Sequence, residues 1–344
     1  IDILAEAEER QTYWKDRNDQ FEVDRRMLAL ELPLEQTGKV TLISNEPKIF
    51  YDTAVALVSS FGPRFRLPLS INYSPEEKDK ISKTERFTNG IFRELDRRQL
   101  NRGQTYWIRE LAYWIMSGWY SIFCIVQKNG SGVGFIADLW DPMTVYPEWD
   151  SDGLVKCIRM FETDKKTAQS MVQTWQMKGL AKDWRAPSHE NNIKVINYWR
   201  KDMVKKKPVV QNAIYVNGEI VKPLTKEPFD HIPIHVGAIG APDMFLPDWR
   251  KRWGENIITP NRQMYKDTNV ILTLMRTILA ETAYPNLVSK TSSGAPAVKA
   301  EDVKGYGAVI PLRLQDQLDL LAHAATPKEG FELLSYMLRQ IAKG

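Results

Sequence analysis

Residues 119–139 read WYSIFCIVQKNGSGVGFIADL. Within them Ile122, Phe123, Cys124, Ile125 and Val126 form an unbroken apolar run. Asn129, Gly130, Ser131 and Gly132 then supply turn chemistry before a second apolar run that ends at Leu139. Two apolar runs joined by Asn, Gly and Ser are the pattern of a buried β-hairpin. Downstream, a third strand-like run covers 154–161, after turn residues 150–153. A helix-like stretch at 165–178 separates it from candidate strands at 193–199, 209–216 and 232–236. The middle of the chain is therefore expected to be an antiparallel or mixed sheet set against helices.

Upstream of the hairpin the texture is helical. The first thirty residues are rich in Ala, Glu, Arg, Leu and Met, with Tyr13, Arg17, Asp24 and Leu28 spread over several faces. That distribution predicts a long surface helix broken by Pro33. A second helix follows Asn45 and Pro47, runs from Ile49 to Ser60, and stops at Gly62 and Pro63. Ser74, Pro75 and Glu77 open a strongly charged helix ending near Asn101 and Gly103. Trp107, Leu111, Trp114 and Ile115 then recur at helical spacing until Gly118. These four helices are expected to form one packed layer, which makes the fold class α+β.

The last third is helical again at 258–283 and 327–343, with an irregular segment at 284–311. Thr326, Pro327 and Glu329 give the final helix a capping-box start. In the helix at 258–283, Met264, Ile271, Leu274, Met275, Ile278 and Leu279 form an apolar stripe. Arg262, Lys266, Asn269, Thr273 and Arg276 recur at steps of three and four on another face. Taken alone, this describes a core helix with a solvated side. In the irregular segment Pro285, Gly294, Pro296, Gly305 and Gly307 exclude a long helix. Val303, Tyr306, Val309 and Ile310 are too few there to build an independent core.

At 344 residues and roughly 150 per domain, about two structural units are expected. Hydrophobic residues at 43% and charged residues at 26% fit ordinary globular folding. The 47 Lys and Arg against 43 Asp and Glu leave only +4, far from the basic excess of a protein that grips DNA by neutralising phosphates. A DNA partner would be held weakly. Cys124 and Cys157 sit in apolar, strand-like context and read as unpaired buried thiols. No apolar run approaches the roughly 18 to 20 residues of a membrane span, and the acidic, helical start is unlike a signal peptide. The chain reads as soluble and intracellular. Its beginning at Ile1 rather than Met points to a start that lies upstream.

Candidates for chemistry are weak. Gly130, Gly132 and Gly134 lack the lysine of a phosphate-binding loop and read as a hairpin turn. His231 and His235 are four apart, but Pro233 excludes the helix that would place both rings together. Asp138, Asp141, Glu148, Asp150 and Asp152 are hard oxygen ligands of the kind magnesium or calcium takes. They lack the distal Glu of a calcium loop and read as turn residues and solvated acids. Lys205, Lys206 and Lys207 read as a solvated turn. No catalytic residue, cofactor or metal is expected.

The order of several segments resembles the portal protein family, the head-to-tail connectors of tailed double-stranded-DNA bacteriophages, over nearly the whole chain. Asn45, Glu46 and Pro47 onward to Arg64, Phe65 and Arg66 are similar to the family's early helix. Residues 118–126, then Asp141, Pro142, Val145, Tyr146, Pro147, Asp152, Gly153 and Leu154, resemble its wing sheet. His231, Ile232, Pro233 and Ile234, followed by Trp253, Gly254, Glu255 and Asn256, resemble the approach to its stem. Tyr284, Pro285 and the Gly-rich segment match the position of its clip, and 327–342 that of the returning stem helix.

The resemblance implies a non-enzymatic subunit of a ring of about twelve copies at one capsid vertex, through which the genome is packaged and ejected. It implies a portal-like layout: a wing at 1–250, a first stem helix at 251–283, a small clip at 284–325 and a second stem helix at 326–344. A tunnel loop, a further wing helix and a crown would follow Gly344. The implied partners are other copies of the chain, double-stranded DNA passing without sequence preference, the terminase large subunit, a head–tail adaptor, and the major capsid and scaffolding proteins, with no membrane. Assembly would occur in the host cytoplasm and residence in the virion. On this reading Arg262, Lys266, Asn269, Thr273 and Arg276 line the DNA channel or meet the adjacent stem helix. Lys290, Lys299, Val303, Lys304 and Tyr306 dock partners through the clip. The competing expectations are another head-completion or minor capsid protein, and a nucleic-acid-processing enzyme using the acids between Asp138 and Asp152.

Overall fold

The computed structural model describes residues 2–31, 42–60, 65–68, 74–129, 132–177, 184–185, 191–204, 207–240, 244–248, 250–283, 287–290, 317–320 and 328–341. Five helices come first: α1 (Ile3–Tyr13), α2 (Lys15–Leu28), α3 (Glu46–Ser60), α4 (Pro75–Asn101) and α5 (Trp107–Met116). The strands β1 (Trp119–Asn129) and β2 (Gly132–Leu139) follow, then β3 (Val145–Asp150) and β4 (Gly153–Asp164). Helix α6 (Lys165–Met177) separates these from β5 (Asn192–Val204), β6 (Lys207–Val216), β7 (Glu219–Lys226) and β8 (Ile234–Ala238). The C-terminal part holds α7 (Arg262–Ala283), β9 (Leu287–Lys290), β10 (Gln317–Leu320) and α8 (Lys328–Ile341). The fold is mixed α+β, and its sheets are antiparallel. It divides into two compact units, Ile1–Arg25 with Phe50–Ile257, and Arg26–Ile49 with Ile258–Gly344.

The first unit contains two sheets. One has the order β2-β1-β8, and in it Ile125 pairs with Ile136 and Phe123 with both Asp138 and Ile234. The hairpin read at 119–139 is thus the middle and one edge of this sheet. The other sheet is a meander, β3-β4-β5-β6-β7. Sequence patterning anticipates β4, β5 and β6 but passes over β3 and β7. These two carry Pro147 and Pro223, and both are edge strands, where a missing backbone donor costs no ladder hydrogen bond.

The N-terminal helices correct an expectation. Composition predicts one long surface helix, but the chain turns at Trp14 into two helices, and Ile3, Ala7, Trp14, Arg17, Phe21 and Asp24 are buried. Their spacing of three, four and seven is a helical face, disguised by an arginine and an aspartate. The Trp14 indole N–H donates to the Pro147 carbonyl at 3.1 Å. The Arg17 guanidinium lies 4.6 Å from the ring centres of both Trp14 and Trp119 and donates to the carbonyls of Pro142 and Val145. Burial pushes this guanidinium down to about 9, and the two carbonyls and two π faces replace the water it has lost. Helices α1 and α2 are therefore fixed to the start of β3.

Helix α4 opens, as read, at Ser74, Pro75 and Glu77, and there forms a capping box in which Ser74 Oγ accepts from the Glu77 N–H and the Glu77 carboxylate accepts from the Ser74 N–H. Its Leu95 packs with Trp107 of α5 against Ala137, and the Trp107 indole N–H donates to the Ala137 carbonyl at 2.9 Å. Where α5 gives way to β1, Gly118 has φ +96° and approaches Gly254, whose φ is +70°. A Cβ on Gly118 would stand 2.8 Å from the Glu255 carbonyl carbon. The segment is laced by hydrogen bonds from Ile239 N–H to Gly118 O, Glu255 N–H to Ile239 O and Ile257 N–H to Met116 O, and by one from the Trp119 indole to the Trp253 carbonyl.

In the second unit α7 begins at Arg262 rather than 258, because a 3-10 turn at Thr259–Asn261 holds Pro260 and precedes it. From there it runs unbroken to Ala283, packs on α8, and buries Tyr265, Thr268 and Met275. Strand β9 pairs antiparallel with β10, Leu287 opposite Leu320 and Lys290 opposite Gln317.

Candidate functional site

The five polar residues read on the long helix differ in their exposure. Arg262 and Lys266 are half-buried, Arg276 is exposed, and Asn269 and Thr273 are buried at 7% and 1% exposure. The Asn269 Oδ1 accepts from the Ser44 N–H at 2.8 Å. Thr273 Oγ1 accepts from the Leu42 N–H at 3.0 Å and donates to the Leu42 carbonyl at 3.3 Å. Two helix side chains thus stand in for a strand partner and hold residues 42–44 along α7. Spacing alone could not separate these two residues from their neighbours. The signal that could is their type, since Asn and Thr are indifferent helix formers that repay placement mid-helix only where their polar atoms are used.

Around them the charges differ in their surroundings. The Arg262 guanidinium donates to Thr259 Oγ1 at 3.0 Å, one turn back. Gln263 holds Asp267 at 2.8 Å on the exposed side. Lys266 lies three residues before Asn269 and Arg276 three residues after Thr273, so along α7 they flank the buried pair.

Of the residues predicted for partner docking, Lys290 closes β9 at its pairing with Gln317. Lys299, Val303, Lys304 and Tyr306 lie outside the described residues.

Helix α8 carries a feature the sequence reading did not single out. Met337 and Ile341 are buried, while Phe331, Leu333, Tyr336 and Leu338 are exposed at 48%, 50%, 60% and 36%. At about 100° per residue, Met337 and Ile341 lie within about 40° of each other. Phe331 and Leu338 fall about 100–120° to one side of Met337, and Leu333 and Tyr336 about 40–100° to the other. Apolar side chains therefore stand on both flanks of the stripe α8 buries within its own unit.

The acids between Asp138 and Asp152 do not converge. Asp138 pairs with Arg102 at 3.0 Å, and Asp141 pairs with Arg25 and caps the turn at Pro142–Thr144. Glu148 pairs with Arg10 and Lys156, and Asp150 accepts from the Asp152 N–H. Among the described residues no group of three or more His, Cys, Asp or Glu could hold a metal ion. His235 is exposed on β8, and His231 contacts Asp230. Cys157 is fully buried and burial pushes its thiol up, while burial pushes Cys124 up to about 11. Neither is poised as a nucleophile. No described helix is long and apolar enough to cross a membrane.

No protein-family model matches the chain, and no curated protein matches it in sequence.

Proposed function

We propose that this chain is a portal-like subunit: one copy in a closed ring that forms a channel for double-stranded DNA at a phage capsid vertex. The observation that carries the reading is the double-flanked apolar surface of α8. A ring closes by heterologous contacts, so every subunit must offer one surface to the copy on its left and a different one to the copy on its right. A helix that is apolar on two flanks, one through Phe331 and Leu338 and the other through Leu333 and Tyr336, meets that demand. A two-fold dimer would need only one such patch.

Charge supports the same reading. A channel must let DNA slide, and each neutralised phosphate adds affinity and friction together, so the net +4 suits passage better than capture. Lys266 and Arg276, multiplied around a ring, would give a weak positive band that contacts phosphates and no base edges. The region at 284–325 would serve as the clip that docks the terminase motor and then the head–tail adaptor.

Light scattering coupled to gel filtration, with negative-stain electron microscopy of the same fractions, tests the proposal. The unaltered protein should form rings with a central hole. Phe331→Glu or Tyr336→Glu, one on each flank, should each abolish closure while near-ultraviolet circular dichroism stays unchanged. A monodisperse monomer from the unaltered protein, or a dimer that only one of the two variants dissolves, would overturn it.

A further inference from the structure

The face of the meander opposite Tyr198 borders a cavity of about 460 Å³ walled on its far side by β1, β2 and Trp140. Arg159 of β4 projects into it, paired across the sheet with Asn197 and followed two residues on by Phe161. Its guanidinium lies over two rings, 4.4 Å from the Trp140 ring centre and 4.2 Å from that of Phe161. Unlike Arg17, it has no hydrogen-bond acceptor and no ion-pair partner among the described residues, and its buried Nε is unmatched. Burial pushes it down to about 10, with Asp138 and Asp141 acting in the opposite sense from beyond ion-pair distance, so it is charged at neutral pH.

Trp199, which also lines the cavity, has a buried indole N–H with no acceptor. Of the other polar groups lining it, Asp138 is paired with Arg102 at 3.0 Å. The Asn212 amide donates to Asn197 Oδ1 at 2.7 Å, the Lys222 ammonium donates to Asn212 Oδ1 at 2.9 Å, and Glu227 neutralises Lys222. With Asp138 held by Arg102 and Glu227 by Lys222, Arg159 is the charged lining group without an ion-pair partner among the described residues, beside walls of Phe123, Ile136 and Phe229.

Buried donors without acceptors are uncommon in folded proteins, and two of them on one cavity wall call for an explanation. A cavity of this size suits a small organic molecule, and a guanidinium lying over two aromatic rings is pre-oriented for end-on bidentate binding. One uncompensated charge calls for a monoanion. A phosphate dianion would bring a second charge toward Asp138 with no cation to meet it. We propose that this cavity is a binding site for a monocarboxylate on an apolar body, the carboxylate taken by Arg159 and the apolar body by the aromatic wall.

Calorimetry with 3-phenylpropanoate and its neutral isostere 3-phenylpropanamide tests the site on the unaltered protein. The carboxylate should bind saturably and about tenfold to a hundredfold more tightly than the amide, the range expected for charge-assisted hydrogen bonds. Arg159→Met should erase that preference while leaving amide binding unchanged. A hexapeptide ending in Phe, with a free or an amidated C-terminus, separates the two sources of such a group. A preference for the free terminus over 3-phenylpropanoate points to a protein tail, and the reverse points to a free acid. If Arg159→Met does not fold, the indole N–H resonance of Trp199, assigned with Trp199→Phe, should move with 3-phenylpropanoate and not with the amide. Equal affinity for acid and amide, no saturable carboxylate binding, or a preference that survives Arg159→Met would overturn the proposal, leaving a solvated cavity only.

Discussion

Gly118→Ala isolates the junction where α5, β1 and the segment around Gly254 meet. Two costs act at this position. A left-handed φ of +96° penalises any residue with a Cβ by about 1–2 kcal/mol. The new methyl group would also lie 2.8–3.0 Å from the backbone C, N and O atoms of Glu255, which cannot rotate away as a side-chain tip could. Forced displacement of well-packed atoms costs about 1–3 kcal/mol more. Gly153→Ala is the matched control, because its φ is +110° and nothing lies within 4 Å of a Cβ there. The two substitutions gain similarly from a stiffer unfolded chain, so their difference measures the close approach alone. Urea unfolding followed by tryptophan fluorescence suits the question, since Trp119 and Trp253 stand at the junction. Gly153→Ala should lose about 1–2 kcal/mol and Gly118→Ala about 2–5 kcal/mol, with a lower midpoint and little change in slope. Losses equal within about 0.5 kcal/mol would show that the approach of Gly118 to Glu255 is not a constraint, and the reasoning would fail.

Arg17→Met should destabilise the first unit by about 2 kcal/mol or more in the same assay, because the carbonyls of Pro142 and Val145 lose their donor without regaining water. Thr273→Val keeps the shape and removes both hydrogen bonds to Leu42. It should cost about 1–2 kcal/mol and raise amide exchange at Leu42, and unchanged exchange there would refute the strap along α7. Burial alone would raise the Glu6 carboxyl, but the Lys156 ammonium and the Tyr198 hydroxyl outweigh it and hold the group below its ordinary 4.5. With the folded value depressed, this contribution is complete above pH 4.5 and fades as pH falls through the lowered value. Glu6→Gln should therefore flatten the acid limb of the stability profile, measured by urea midpoints at stepped pH.

The central hairpin, β4 to β6 and the start of α4 could be read from sequence because each announces itself locally, through an apolar run, a turn cluster or a Ser-x-x-Glu spacing. The prolines of β3 and β7 argue against strands unless sheet order is known, and order is a tertiary property. Arg17 and Asp24 conceal a buried helical face because a charged residue reads as solvated until its carbonyl and ring partners are in place. On α7, residue spacing puts five polar side chains on one helical face but cannot show that Asn269 and Thr273 serve residues 42–44, more than 220 positions away in sequence. The cavity at Arg159 left no sequence trace, since its walls come from strands far apart along the chain.

The connectivity of the two sheets in the first unit sets an order of events. Every strand of the meander pairs with its neighbour in sequence, through two-residue turns at β3–β4, β5–β6 and β6–β7 and through the longer connection holding α6 at β4–β5, so the sheet can grow largely from local contacts. The pairing of β1 with β8 is of another kind, because Phe123 meets Ile234 only after the whole meander has been spanned. Loop-closure entropy for so long a segment is repaid only once the intervening strands have condensed and brought the ends together. Local contacts are therefore expected to nucleate the five-stranded sheet, with the edge of β1 pairing with β8 later. In the interval that edge is an open ladder of unpaired N–H and C=O groups beside the apolar run at 122–126. It is the point at which crowded refolding should divert the chain into aggregates.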